Sequence, residues 1–172
     1  MLQETVDEIK GIKPRKIGKT VKIDLNIDVY IPSDYIQDEN EKINIYKKIS
    51  YIENSDEHSS IIDELIDRFG DIPKPVQNII DISYIRAMLI DNDFESIIGR
   101  EDYIEIAYAD IDIFDFKKLQ ILSKEFNSKI KFDLIDNPKI YIENKKGYIF
   151  EIIRLLEIVT KINKGEFDEK QN

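Results

Sequence analysis

Cysteine is absent from this chain, which removes disulfides, thiolate nucleophiles and cysteine-ligated zinc or iron-sulfur centres from consideration. Such a chain suits a reducing compartment, and the cytoplasm is the expected location. Tryptophan is absent too, Gly and Pro are few, and there is a single histidine. No signal-peptide pattern opens the sequence, and no apolar run approaches the ~20 residues that a membrane-spanning helix requires. Basic residues are in deficit, 25 Lys and Arg against 35 Asp and Glu, for a formal charge of -10. A field of that sign repels a nucleic-acid duplex or an anionic membrane surface, both of which attract clustered Lys and Arg.

What is present is enough apolar material for a core: 42% of 172 residues, which the length prior divides into one domain or two closely packed small ones. Residues 2–10 read as the end of a helix stopped at Gly11. A basic connector follows, running from Lys13 through Arg15, Lys16 and Lys19 to Lys22 with no acid inside it. It has no interleaved aromatics for base stacking, so it reads as a solvated linker before a nucleic-acid contact. From Val21 to Ile31 the apolar residues occupy every second position, the signature of a half-buried strand, and Pro32 ends it.

Residues 38–52 read as a helix with Asp38 and Glu41 as a capping-box pair and Ile45, Tyr46, Ile49 and Ile52 as its apolar stripe. After a polar turn at 54–59, Ser60 is positioned to cap the next helix, with Asp63 and Glu64 in its first turn. Pro75 suits the first position of a further helix reaching about Asn92, apolar on most sides and therefore internal. Beyond Gly99 short alternating strands fall at 103–108, 129–135 and 139–143, with helices at about 115–126 and 148–162. The fold class this predicts is α+β: a helical first half packed against a small mixed β-sheet, and a strand-helix-strand-strand-helix second half.

Several motifs invite a chemical reading. Gly18-Lys19-Thr20 imitates the end of a phosphate-binding loop, but the position that needs a further Gly is Lys13, and the segment that follows is a strand instead of a helix. His58 stands in the polar turn, and no G-x-S-x-G accompanies it, so a solvated histidine is the simpler reading. The carboxylate pairs Asp63 with Asp67, Asp91 with Asp93, and Asp110 with Asp112 could serve a metal or glycoside chemistry only by converging from separate elements. In a chain this acidic they read as solvated charge. The nine Tyr and eight Phe are spread at core-like positions and read as packing.

The segment 61–73 divides most cleanly. Ile61, Ile62, Leu65, Ile66 and Phe69 recur at helical spacing, with Ile61, Leu65, Ile66 and Phe69 expected to anchor the helix. Asp63, Glu64, Asp67 and Arg68 fill the other face, Gly70 marks the stop, and Pro73 lies just beyond. Glu64 precedes Arg68 by four residues, the favourable order for an intrahelical ion pair, while Asp63 and Asp67 have no basic partner of their own. Such a face is either an ordinary solvated surface or a docking surface for an Arg-bearing partner.

The run Glu64-Leu65-Ile66-Asp67-Arg68-Phe69-Gly70, then Ile72-Pro73 and Val76-Gln77-Asn78-Ile79-Ile80, resembles the carboxy-terminal domain of the bacterial transcription-repair coupling factors, the Mfd family. Ile31-Pro32-Ser33-Asp34-Tyr35-Ile36 and Ile45-Tyr46-Lys47-Lys48 are similar to that family in the same order. The likeness is good over residues 25–92 and is one of pattern only thereafter. It implies a division into the end of a preceding region with its basic connector (1–20), a regulatory domain (21–164) and a flexible tail (165–172), with Met1 falling inside a long multidomain chain. It implies a parent that is an ATP-driven DNA translocase, which displaces stalled RNA polymerase from DNA and recruits the excision-repair protein UvrA. The carboxy-terminal domain would be a noncatalytic, cofactor-free autoinhibitory module, docked on the amino-terminal UvrB-like module so as to mask the surface that UvrA needs. The family's contact residues correspond to Glu64, Asp67 and Arg68. The alternatives from other classes are a nucleic-acid accessory domain acting through Lys13 to Lys22, and a carboxylate-metal hydrolase.

Overall fold

The computed structural model describes residues 19–109, 115–127, 129–135, 137–145 and 147–167. The expected helix at 2–10, the connector before Lys19, the Asp110 and Asp112 pair and the last residues of the tail lie outside them. The described elements are β1 (Lys22–Asp24), α1 (Glu39–Ser50), α2 (Ser55–Phe69), α3 (Lys74–Asp91), β2 (Phe94–Gly99), β3 (Tyr103–Tyr108), α4 (Phe116–Glu125), β4 (Lys131–Asp133), β5 (Lys139–Glu143) and α5 (Tyr148–Lys164). The strands form one mixed sheet in the order β1-β2-β3-β5-β4. β1 and β2 are parallel, so the chain must cross over between them, and the helices α1 to α3 make that crossover. The other pairings are antiparallel. The α+β class read from the sequence is the class observed.

α3 is the hub, in contact with α1, α2, α5 and β2. Its Val76, Ile80, Tyr84, Ile85, Met88 and Leu89 are all buried, as its all-round apolar pattern requires. Through α3 the smaller helices reach the sheet. α5 covers the rest of the core with Ile152, Leu155, Leu156 and Val159, and the antiparallel strands contribute Ile97, Ile104, Ile106, Ile140 and Ile142. Phe94 and Tyr108 stack inside it with ring centroids 3.8 Å apart, and burial pushes the Tyr108 hydroxyl's pKa up. At the end of α5, Gly165 takes φ +71 and the Glu166 N–H donates to the Lys161 carbonyl at 2.9 Å, while Phe167 packs back on the core.

The strand read from 21 to 31 pairs only over Lys22–Asp24, with Lys22 opposite Ser96 and Asp24 opposite Ile98. The inward-outward alternation nevertheless continues to Ile27. β2 ends at Gly99, and the chain beyond Asp24 continues without a ladder partner, with Ile27 N–H turning back to the Leu25 carbonyl at 2.9 Å. Period two reports which side faces the core, not whether a strand lies alongside. β2 itself is absent from the sequence reading. It is flanked on both edges and is bulged between Phe94 and Ser96, and either feature erases alternation. β4 is likewise shorter than the 129–135 expected.

α2 begins six residues earlier than expected. Asn54, not Ser60, is its cap: the side chain accepts from Glu57 N–H at 3.0 Å, and Glu57 reaches back to accept from Glu53 N–H at 2.7 Å. The segment 54–59, expected as a polar turn, is therefore the cap and first turn of the helix, and Asp56 and Glu57 hold the dipole-favoured positions expected for Asp63 and Glu64. On α1, Asp38 caps as expected, accepting from Glu41 N–H at 2.7 Å, but the Glu41 carboxylate is turned to another helix. Ile45, Ile49 and Ile52 are buried there, whereas Tyr46 stays exposed with its hydroxyl accepting from Ile31 N–H.

Candidate functional site

α2 lies on α1 and α3 through Ile61 and Leu65, both buried, with Ile62 and Phe69 half-buried at the flank. Phe69 meets Tyr35 with ring centroids 5.8 Å apart. Ile66 departs from the sequence reading: it is 50% exposed and anchors nothing. Successive residues of a helix are about 100° apart, so with Leu65 centred on the core its neighbour is carried out to the rim. Gly70 ends the helix at φ +80 and ψ -153, donating its N–H to the Ile66 carbonyl at 3.0 Å.

The polar face is not a row of solvated charges. Arg68 Nη1 donates to Glu64 Oε1 at 2.8 Å, the intrahelical pair the spacing predicts, and Arg68 Nη2 donates to Glu41 Oε1 of α1 at 2.6 Å. Lys48, also on α1, donates to the same Glu64 Oε1 at 2.6 Å. The four side chains form a chain of alternating charge, Lys48-Glu64-Arg68-Glu41, that ties α2 to α1. The hydrogen bond from Lys48 holds the Glu64 carboxyl below the usual range; partial burial opposes this, and the Arg68 hydrogen bond adds to it. The hydrogen bonds it donates to Glu64 and then to Glu41 push the Arg68 guanidinium's pKa further up. Arg68 also lies 4.9 Å over the Phe69 ring.

Asp67 stands apart. It is exposed, and among the described residues no ion pair or hydrogen bond engages its carboxylate; the same holds for Asp63 one turn earlier. The three singled-out residues therefore separate: Glu64 and Arg68 meet each other and are restrained from α1, while Asp67 is presented to solvent. Lys48 and Glu41 are the members that sequence reasoning missed. Their separation of seven on α1 puts them on one face, but nothing local shows that the face meets α2.

His58 is not a solvated turn residue. It is on α2, its side chain only 17% exposed, with Nε2 3.0 Å from Oδ1 of the buried Asp81 and its ring against Tyr84. Asp93 of the pair Asp91 and Asp93 meets Lys19, so that connector lysine is engaged as well. Among the described residues no three His, Asp or Glu side chains gather where they could share a metal ion. A cleft of about 130 Å³ lies on α4, lined by Lys117, Gln120, Ile121, Lys124, Glu125 and Phe167, and includes none of the residues singled out on α2. Several aromatics read as packing are at the surface instead, Phe116 and Phe150 foremost. No described helix is long and apolar enough to cross a membrane.

Comparison with known proteins gives a consistent assignment. The family model described as the TRCF domain matches residues 25–119, which includes all of α1, α2 and α3. The transcription-repair-coupling factor of Staphylococcus aureus (strain USA300) is 47% identical over 87 residues, and that of Staphylococcus haemolyticus (strain JCSC1435) 42% over 87. Each alignment covers 50% of this chain and 7% of the relative, so the matched segment is a small part of a much longer protein. The crystal structure of the C-terminal domain of a transcription-repair coupling factor superposes with a TM-score of 0.72, at 24% identity, over 86% of this chain and 96% of that one. With the family model spanning more than half of its residues, the chain belongs to the TRCF domain family, and its fold is that of the carboxy-terminal domain of transcription-repair coupling factor.

Proposed function

We propose that this domain, residues 21–164, is a noncatalytic docking module that keeps its parent protein autoinhibited. It lies on the amino-terminal UvrB-like module of the same protein and masks the surface that UvrA needs; the parent is an ATP-dependent DNA translocase acting on RNA polymerase stalled on DNA. The observation that carries this reading is the exposed, unengaged Asp67 beside a Glu64-Arg68 pair already restrained from α1. A partner's cation can meet Asp67 without breaking any bond of the domain, and the restrained neighbours lower the ordering cost of contact. Two further facts support it: the relatives are named for coupling transcription to repair, and they extend far beyond the matched segment. The test is charge reversal in the full-length parent. Asp67→Lys, alone and with Glu64→Lys, is expected to raise UvrA binding by releasing the mask. Unchanged UvrA binding by a variant with a native circular dichroism spectrum would overturn the proposal.

A further inference from the structure

We infer that Lys48 is a built-in competitor for the docking face, occupying the place at Glu64 that a partner's cation would take and thereby setting how tightly the domain docks. This rests on the docking reading above and goes beyond it, because Lys48 lies on another helix and outside the Glu64, Asp67 and Arg68 set. Its ammonium is 2.6 Å from Glu64 Oε1, while its side chain remains 51% exposed and that of Glu64 30%. A pair so open to water is screened and contributes little to the fold, so it exchanges readily. Arg68 cannot be the exchanging group on equal terms, since its guanidinium is held by two carboxylates at once, Glu64 and Glu41. Lys48 offers a single ammonium to a single oxygen, and an incoming guanidinium could bind the same carboxylate through two donors.

The two acids of the docking face are then unequal. Asp67 accepts a partner directly, whereas contact at Glu64 requires that Lys48 be displaced or shared. Removing the Lys48 charge leaves Glu64 less neutralised within the domain and its carboxylate freer to meet a cation from outside. Docking should strengthen, although the substitution also takes one positive charge from an already acidic protein. Lys47 provides the control for that general effect. It is the neighbouring exposed lysine of the same helix, rotated away from Glu64, with no ion pair of its own among the described residues.

The experiment titrates the 172-residue chain against the separately purified amino-terminal module of its parent at low and at moderate salt. Lys48→Met, which keeps the apolar stem, should tighten binding about two- to fivefold relative to Lys47→Met, the factor that about 0.4–1 kcal/mol represents. The gain should shrink as salt rises. In the double variant Lys48→Met with Glu64→Gln the gain should disappear, because the carboxylate being competed for is gone. Equal affinities for Lys48→Met and Lys47→Met, with Asp67→Lys still abolishing binding, would overturn the role of Lys48 and leave the docking reading standing. No binding by the unmodified chain, or binding indifferent to Asp67→Lys, would overturn the docking reading and this inference with it.

Discussion

His58 on α2 and Asp81 on α3 lie with Nε2 and Oδ1 3.0 Å apart, and Gln77 donates to that same carboxylate oxygen at 2.8 Å. The imidazole ring also rests on Tyr84, centroids 4.8 Å apart, and the Tyr84 hydroxyl donates to Glu157 of α5 at 3.1 Å. The first half of α2 is thereby fixed to α3, and its second half is fixed to α1 through Lys48-Glu64-Arg68-Glu41. A helix held at both halves by different neighbours presents Asp67 from a defined position. His58→Ala would leave a buried carboxylate with Gln77 alone, and the loss of such a partner costs about 1–3 kcal/mol. The urea midpoint should fall accordingly, with an unchanged slope. A shift within the scatter of ordinary surface substitutions would show that α2 does not depend on this anchor.

Glu64 gives the pH signature of the second attachment. Its folded pKa is lowered, chiefly by the Lys48 hydrogen bond, so its contribution to stability is fully present above the unfolded carboxyl pKa and is lost as pH falls through the lower folded value. Glu64→Gln should therefore lower stability near neutral pH and have no effect in strong acid, where the native carboxyl is protonated too. Because Glu64 is partly exposed, the neutral-pH loss should be small, about 0.2–1 kcal/mol, and smaller still in high salt. Chemical denaturation of both proteins across the acid range reads this directly. A difference that persists undiminished at low pH would mean that packing, not charge, holds the pair.

Gly70 offers a test of backbone strain with no steric complication. Its φ of +80 and ψ of -153 lie in a region that side chains rarely enter, yet an added Cβ would meet nothing within 4 Å. Gly70→Ala should cost about 1–3 kcal/mol through conformation alone. At Gly99 the φ is ordinary and an added Cβ would sit 3.5 Å from the Asp24 carbonyl oxygen, an ordinary contact, so Gly99→Ala should be mild. Comparing the two by thermal unfolding separates backbone strain from crowding. Equal losses would contradict the assignment of strain to Gly70.

The elements legible in the sequence are those whose evidence is local. α3 and α5 announce themselves by apolar residues at helical spacing, and β3 and β5 by alternation, because each of these patterns is imposed by burial of the element's own face. The start of α2 is not legible in the sequence because Asn54 and Ser60 are both acceptable caps, and it is the longer helix that carries His58 beside Asp81. β2 was hidden by its bulge and by its neighbours on both edges. At the candidate site, the Glu64-Arg68 pair follows from a separation of four. Lys48 and Glu41 depend on how α1 lies against α2, which no spacing encodes.

Leu65 and Ile66 are adjacent, yet they should respond to substitution in opposite ways. Leu65 is completely buried between α2 and its neighbours, so Leu65→Ala leaves a cavity and should cost about 2–5 kcal/mol. Ile66 is half exposed, so Ile66→Ser should change stability by no more than about 0.5 kcal/mol. If α2 is the docking helix, Ile66 is an apolar group displayed next to Asp67, and its removal should weaken binding of the amino-terminal module even though the fold is untouched. Urea denaturation and a binding titration on the same two variants give a crossed pattern. Leu65→Ala loses stability, while Ile66→Ser loses affinity alone. A stability loss for Ile66→Ser comparable to that of Leu65→Ala would place Ile66 back in the core, and unchanged affinity would remove it from the docking surface.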